Sequence, residues 1–366
     1  MQGMETDMGT RRSFLAGLAA GTALPALSWA EAGGPAYLGA ARDADGGYAI
    51  YGLSAVGDPI FRVPLLGRGH AATAHPDRPE TVAFARRPGT FALVIDCATG
   101  TLRHRLDAPA GRHFYGHGTF IAGGDILCTT ENEIESGAGR IGLWDRRAGY
   151  RRMGEVATGG IGPHDIRTLS DGRTLVVANG GIRTDPGHGR EKLNLDTMRP
   201  SLAFVDPETG PVELIELDPD LQWNSIRHLA VGPDDDVAFA MQWQGDPMEA
   251  PPLLGLVRRG GTPILAAADL GEQMSMQGYA GSVAIDGAGA RIGITSPRGG
   301  RMHIFDREGQ FHGAVLRADI CGLATAPGGF TASDGTGGVL RIEQGEVRAA
   351  VTLPGLSWDN HLVAIG

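Results

Sequence analysis

Short apolar runs, each closed by Gly, Asp or Pro, recur along almost the whole chain and predict strands joined by tight turns. The segment Gly160–Gly181, GIGPHDIRTLSDGRTLVVANGG, sets the template. It runs from a small-residue turn through His164 and a short strand to an Asp171-Gly172 turn, then along a second strand ending at Asn179-Gly180-Gly181. Equivalent stretches begin at Gly67, Tyr115, Ser225, Tyr279, Ile320 and Trp358. Seven copies at roughly 40-residue spacing predict an all-β, seven-bladed β-propeller.

The strands begin at Ala36, so the propeller is placed at residues 36–366. Only three strands precede the copy at Gly67, AYLGAARD, YAIYGLSA and PIFRVPLL. The fourth of that blade is expected from the C-terminal HLVAIG, which enters as its innermost strand and leaves no open sheet edge. The endings VIDCATG, WD at Trp144-Asp145, FVDPETG and IFDREGQ mark the same point in four blades. Their aspartates read as Asx-turn residues that close the third strand into the fourth.

Aligned on the template, one position reads His70, His117, His164, His228, Gly281, Gly322 and His361. With 11 His in 366 residues, chance would put histidine at about one position in thirty, so five in seven calls for a cause. The first strand of each propeller blade lines the central channel. Five imidazoles therefore converge on the axis, and several titratable rings packed together are best explained by a metal ion. Neutral imidazole suits iron, copper, zinc and nickel. A nitrogen-rich set without cysteine leans to iron or copper over structural zinc. His75, His113, His188, His303 and His312 fall off the ring position and are expected to be surface or turn residues.

Loops joining second to third strands should lie on the face where the histidines start. Blade four inserts GIRTDPGHGREKLNLDTMRPS there, long and without strand pattern, as functional loops often are. Arg183, Arg190, Lys192, Asp196 and Arg199 are its candidates to meet a polar or anionic ligand. Arg86, Arg87, Glu131, Asn132, Gln242, Gln244, Arg298 and Asp334 occupy equivalent loops. Glu131 is the candidate metal ligand, acceptor for an imidazole N–H, or base.

The N-terminus carries TRRSFLAG, a weakly apolar run to Leu27 and a small-residue site near Ser28-Trp29-Ala30. This reads as a twin-arginine export signal over residues 1–32, cleaved around Ala30 or Ala32. The mature chain is then expected in the periplasm, without membrane insertion. High Gly and Pro content, 58 and 22 residues, suits many short strands. A net charge of −10 argues against nucleic acid, and three dispersed cysteines argue against a disulfide scaffold. Cys321, one residue from a ring position, is expected to be a buried apolar residue.

GHGTF, TTEN, GRIGLWD, GIGPHDI, VANGGI, NLDTMRPSL, IRHLA and WDNHL, with the leader, resemble a family of exported bacterial seven-bladed propeller proteins of unknown function. Its genes often lie beside imelysin-type iron-uptake components. The resemblance implies a periplasmic propeller linked to iron, with other iron-uptake proteins as partners. The histidine ring also resembles the axial iron site of carotenoid-cleavage propellers.

Two functions follow from the residues. One is a monomeric metal-binding protein with His70, His117, His164, His228 and His361 as ligands, serving acquisition of iron or copper or a metal-dependent oxidation. The other is a lactonase-like hydrolase in which Glu131 and rim arginines bind a carboxylated substrate and a His acts as base, a chemistry that no GxSxG or other nucleophile motif supports. A non-catalytic interaction scaffold is the third class.

Overall fold

The computed structural model describes residues 27–86, 90–189 and 191–365. The leader to Ala26, and the rim candidates Arg87 and Arg190, lie outside the described residues. The described chain forms twenty-eight strands in seven four-stranded antiparallel sheets. Each is a blade of a seven-bladed β-propeller.

The innermost strands are β4 (Gly69–Ala74), β8 (Arg112–Ile121), β12 (Pro163–Thr168), β16 (Asn224–Val231), β20 (Ser282–Ile285), β24 (Ile320–Ala326) and β28 (Ser357–Ala364). The last of these pairs with β1 (Tyr37–Arg42), so the C-terminus supplies the inner strand of the first blade, as its sequence predicts. Closure removes the exposed ladder edges that an open array would leave.

The core is divided by blade interfaces. One apolar cluster fills each of the seven junctions, from Leu38, Ile50 and Leu93 between blades one and two to Tyr51, Val339 and Trp358 between blades seven and one. Strand residues alternate between the two faces of a sheet. Here both faces meet a neighbouring blade, which is why strands such as Leu175–Asn179, LVVAN, are apolar nearly throughout and buried at every position.

The four predicted Asx turns are present. Asp96 Oδ1 accepts from the N–H groups of Ala98 and Thr99, Asp145 Oδ1 from Ala148, Asp206 Oδ1 from Glu208 and Thr209, and Asp306 Oδ1 from Glu308 and Gln310. Each carboxylate replaces backbone pairing that the chain gives up in turning.

Residues Trp29–Ala32, assigned to the export signal from sequence, form a 3-10 turn capped by Ser28 and Glu31. Trp29 and Ala32 are buried in the cluster between blades one and two, and Trp29 Nε1 donates to the carbonyl of His75 at 2.9 Å. Among the described residues no helix is long and apolar enough to cross a membrane.

Candidate metal centre

Inner strands of six blades break register at the ring position. The pairing of β4 shifts between Gly69 and Ala72, of β8 between Phe114 and Gly118, and of β12 between Pro163 and Asp165. In β16 the shift lies between Ile226 and His228, in β24 between Ile320 and Leu323, and in β28 it spans Asp359 to His361. A bulge inserts an unpaired residue and re-aims its side chain. The unpaired stretch contains the ring residue itself in five of these strands, and in β16 it is Arg227, beside the ring histidine His228.

The five imidazoles form a closed circuit. Centroid separations between successive rings, from His361 through His70, His117, His164 and His228 back to His361, are 4.9, 5.0, 5.1, 5.0 and 4.9 Å. Blades six and seven give glycine instead. A Cβ on Gly281 would lie 2.9 Å from Pro297 Cδ, and one on Gly322 3.0 Å from the Leu362 nitrogen. With no side chain at either position, His228 and His361 meet across the gap. Gly116, at φ +102, serves the ring differently: its missing Cβ would fall 2.4 Å from His70 Cδ2.

Donor nitrogens gather in two overlapping triads, His70–His117–His164 and His117–His228–His361, each with its atoms within 4.8 Å of one another. The second is the better metal site. His117 Nε2, His228 Nδ1 and His361 Nε2 are buried and have no hydrogen-bond partner among the described residues. A buried polar atom left unsatisfied costs about 1–3 kcal/mol, and a cation shared by three would remove that cost.

Asp165 fixes which nitrogen of His117 is available. Its carboxylate takes His117 Nδ1 at 3.1 Å, the Ile166 and Leu229 N–H groups at 2.8 and 2.9 Å, and Arg167 at 3.3 Å. Burial alone would raise the pKa of Asp165, but Arg167, His117 and these hydrogen bonds hold it well below the usual carboxylate range. An ionised carboxylate only accepts, so His117 carries its proton on Nδ1 and presents the lone pair of Nε2. This carboxylate–histidine arrangement orients metal-binding imidazoles and raises their basicity.

Three further rings are held neutral. Burial, followed by the neighbouring His117, lowers the pKa of His228 to about 3. Burial and the surrounding rings push His361 well below its ordinary value, and burial with the Arg227 charge does the same to His164. Neutral imidazole is the form that binds metal. His164 differs in one respect: its Nδ1 lies 3.4 Å from Arg227, which can only donate. That contact leaves the His164 ring proton on Nε2, so His164 fits the role of ligand less well than the His117–His228–His361 triad.

Above the ring opens a cavity of about 410 Å³ that reaches His70, His164 and His228. Its wall includes Arg86, Gln242, Gln244 and Arg298 from the predicted second-to-third strand loops, and Lys192 from the blade-four insertion. The insertion is anchored across its neighbours. Thr184 bonds Tyr115 Oη at 2.7 Å, Met198 is fully buried, and Lys192 Nζ donates to Gln244 of the next blade at 2.6 Å.

Other rim candidates go elsewhere. Glu131 is fully buried, lies over Gly142 of the third strand, and is gripped at both oxygens by Arg152 at 2.7 and 2.8 Å. That points it outward along blade three, into an ion pair, and away from the roles of ligand or base. Arg183 donates to the carbonyl of Glu135, Arg199 is exposed, and neither lines the cavity. Asn132 donates to the Thr184 carbonyl at 3.1 Å, Asp334 pairs with Arg317 at 2.6 Å, and Asp196 is exposed.

His188 and His312 are exposed as expected, but His75, His113 and His303 are buried. The Nδ1 of His75 accepts two backbone N–H groups in its turn, and His113 stacks on Tyr115 within a strand. Cys321 is a buried thiol with Sγ 3.5 Å from the Asp359 carbonyl, its pKa pushed by burial up to about 12. Sequence reasoning passes over Asp165 and Arg227, although each is the immediate neighbour of a ring histidine.

The model of a family described as a protein of unknown function (DUF1513) matches residues 63–365. No curated protein matches the chain significantly. Among solved structures, hydrazine synthase of Kuenenia stuttgartiensis is similar in fold, with a TM-score of 0.59 at 14% identity. The similarity covers 92% of this chain and 99% of that one. At that identity the likeness concerns the propeller alone.

Proposed function

The chain belongs to this family of unknown function, DUF1513, and from its axial geometry we propose that it is a transition-metal-binding protein. His117, His228 and His361 are its ligands, and His70 and His164 flank the site. The observation that carries the reading is the convergence of three buried, unpartnered imidazole nitrogens, one of them locked in its tautomer by Asp165. An all-imidazole set favours iron or copper over hard, oxygen-seeking cations. Three ligands below an open cavity resemble sites that keep a coordination position for a further group more than closed structural sites. What a bound ion would supply there is Lewis acidity, or redox capacity if it is iron or copper.

The leader-like N-terminus supports a periplasmic setting, and the sequence resemblance supports a role in iron or copper acquisition alongside other iron-uptake proteins. The test is elemental analysis of protein isolated from its native compartment, beside a His117→Ala, His228→Ala, His361→Ala triple variant. Bound metal in the wild type and loss of at least nine-tenths of it in the variant is the expected result. A folded variant holding the same metal at the same stoichiometry would sink the proposal.

A further inference from the structure

We propose that the cavity over the histidine ring binds a small organic anion bearing two or more carboxylates, with one end turned down toward the axis. The inference rests on the proposed metal site only for what that inner end meets.

The charge of the wall is the first argument. Arg86, Lys192, Arg227 and Arg298 all line the cavity, and no aspartate or glutamate does so among its described lining residues. These cations come from blades two, four, five and six, so the fold brings them together from distant parts of a chain with net charge −10. Four like charges around one concavity focus a positive potential into it.

Burial and restraint are the second. Arg227 is only 8% exposed, and its guanidinium contacts His164 Nδ1 at 3.4 Å. Arg86 lies 3.8 Å from Asp359, a carboxylate it shares with Arg68 at 2.8 Å. Arg298 stacks on Tyr279 at 4.3 Å, and Lys192 is tied to Gln244 at 2.6 Å. Both are held in place before a ligand arrives, which lowers the entropic cost of binding.

Size and shape set the ligand class. About 410 Å³ falls in the range of small-molecule sites and exceeds what one inorganic anion fills. Trp243 and Tyr279 give apolar wall between the cations, suited to a short carbon backbone. Arginine recognises carboxylate through two parallel hydrogen bonds, so a single carboxylate would leave most of these cations unused. A long apolar substrate would be forced against four charges.

The test is calorimetric titration of the full-length protein with citrate, succinate, acetate and inorganic phosphate, in chelator-treated and metal-loaded forms. Elemental analysis of each sample accompanies it. Citrate is expected to bind more tightly than acetate. Arg298→Gln and Arg227→Gln should each weaken it about tenfold, in keeping with loss of one charged hydrogen bond. Arg298 and Lys192 are exposed, so Arg298→Gln and Lys192→Gln should melt like the wild type and keep any metal.

Citrate failing to bind either form, or binding folded Arg298→Gln and Arg227→Gln as tightly as the wild type, overturns the proposal. Phosphate binding as tightly as citrate, with the same response to the variants, overturns the organic-acid assignment. Citrate binding that the variants weaken, in a protein that takes up no metal on loading, upholds this inference while the metal reading falls. Metal retained without citrate binding does the reverse.

Discussion

Replacing Asp165 by asparagine tests the proposed metal site without touching a proposed ligand. The carboxylate receives four donors: His117 Nδ1 and the Ile166 N–H at Oδ1, the Leu229 N–H and Arg167 at Oδ2. An amide keeps one accepting oxygen and sets an NH2 group against the remaining donors. If the NH2 replaces Oδ1, His117 must accept at Nδ1, and its proton moves to Nε2, where no metal can bind. If it replaces Oδ2, the tautomer survives, but the negative charge that raises imidazole basicity is gone. Either way metal affinity should fall about 10–100-fold, or about 1.4–2.7 kcal/mol. Buried donors left without an acceptor cost about 1–3 kcal/mol each, so the variant should also melt earlier. Competition with a chromophoric chelator for zinc(II) and copper(II) measures the affinity, and thermal unfolding measures the folded fraction. A folded Asp165→Asn protein whose affinity stays within twofold of the wild type would refute this account of His117.

The remaining predictions concern the scaffold. His75 has its pKa lowered to about 4 by burial and by Arg146 and Arg78, against an unfolded value near 6.5. The unfolded chain therefore binds more protons, and stability should decline as pH falls from about 6.5 to 4, by up to about 1.4 kcal/mol per pH unit. His75→Asn, whose amide oxygen can take the two N–H groups held by Nδ1, should flatten that part of a urea-midpoint profile; an unchanged slope would assign the acid sensitivity elsewhere. Removing the last eight residues takes most of β28 and should abolish the cooperative melt; a truncated chain melting normally would show that closure is dispensable. Trp29→Ala should cost about 3 kcal/mol in chemical denaturation. If that packing persists after export, mass spectrometry should find the mature N-terminus ahead of Trp29, and a start after Ala30 or Ala32 would show that it does not.

Blade count, closure and the histidine ring are legible in the sequence for one reason. A propeller converts equal phase in each repeat into equal distance from the axis, so a histidine recurring at one phase must recur in one place. Neighbours of those histidines obey no such rule. In a regular strand Asp165 and Arg227 would point away from their inward-facing neighbours. The bulges in β12 and β16 break that alternation and let Asp165 reach His117 and Arg227 reach His164. Glu131 shows the opposite limit. Its phase places it near the rim, but the open face of Gly142 and the reach of Arg152 draw its carboxylate outward. Trp29 carries two signals at once: small residues around it read as a processing site, and its ring fits a gap between two blades that exists only after folding.

The placement of His361 in the closing strand also sets a schedule. A ribosome delivers that residue after every other member of the ring, and it reaches the axis only when the two chain ends have joined. No partly made chain can assemble the full set, so an ion held there, as proposed, would be taken up only after the circle shuts, and its presence would report that closure had occurred.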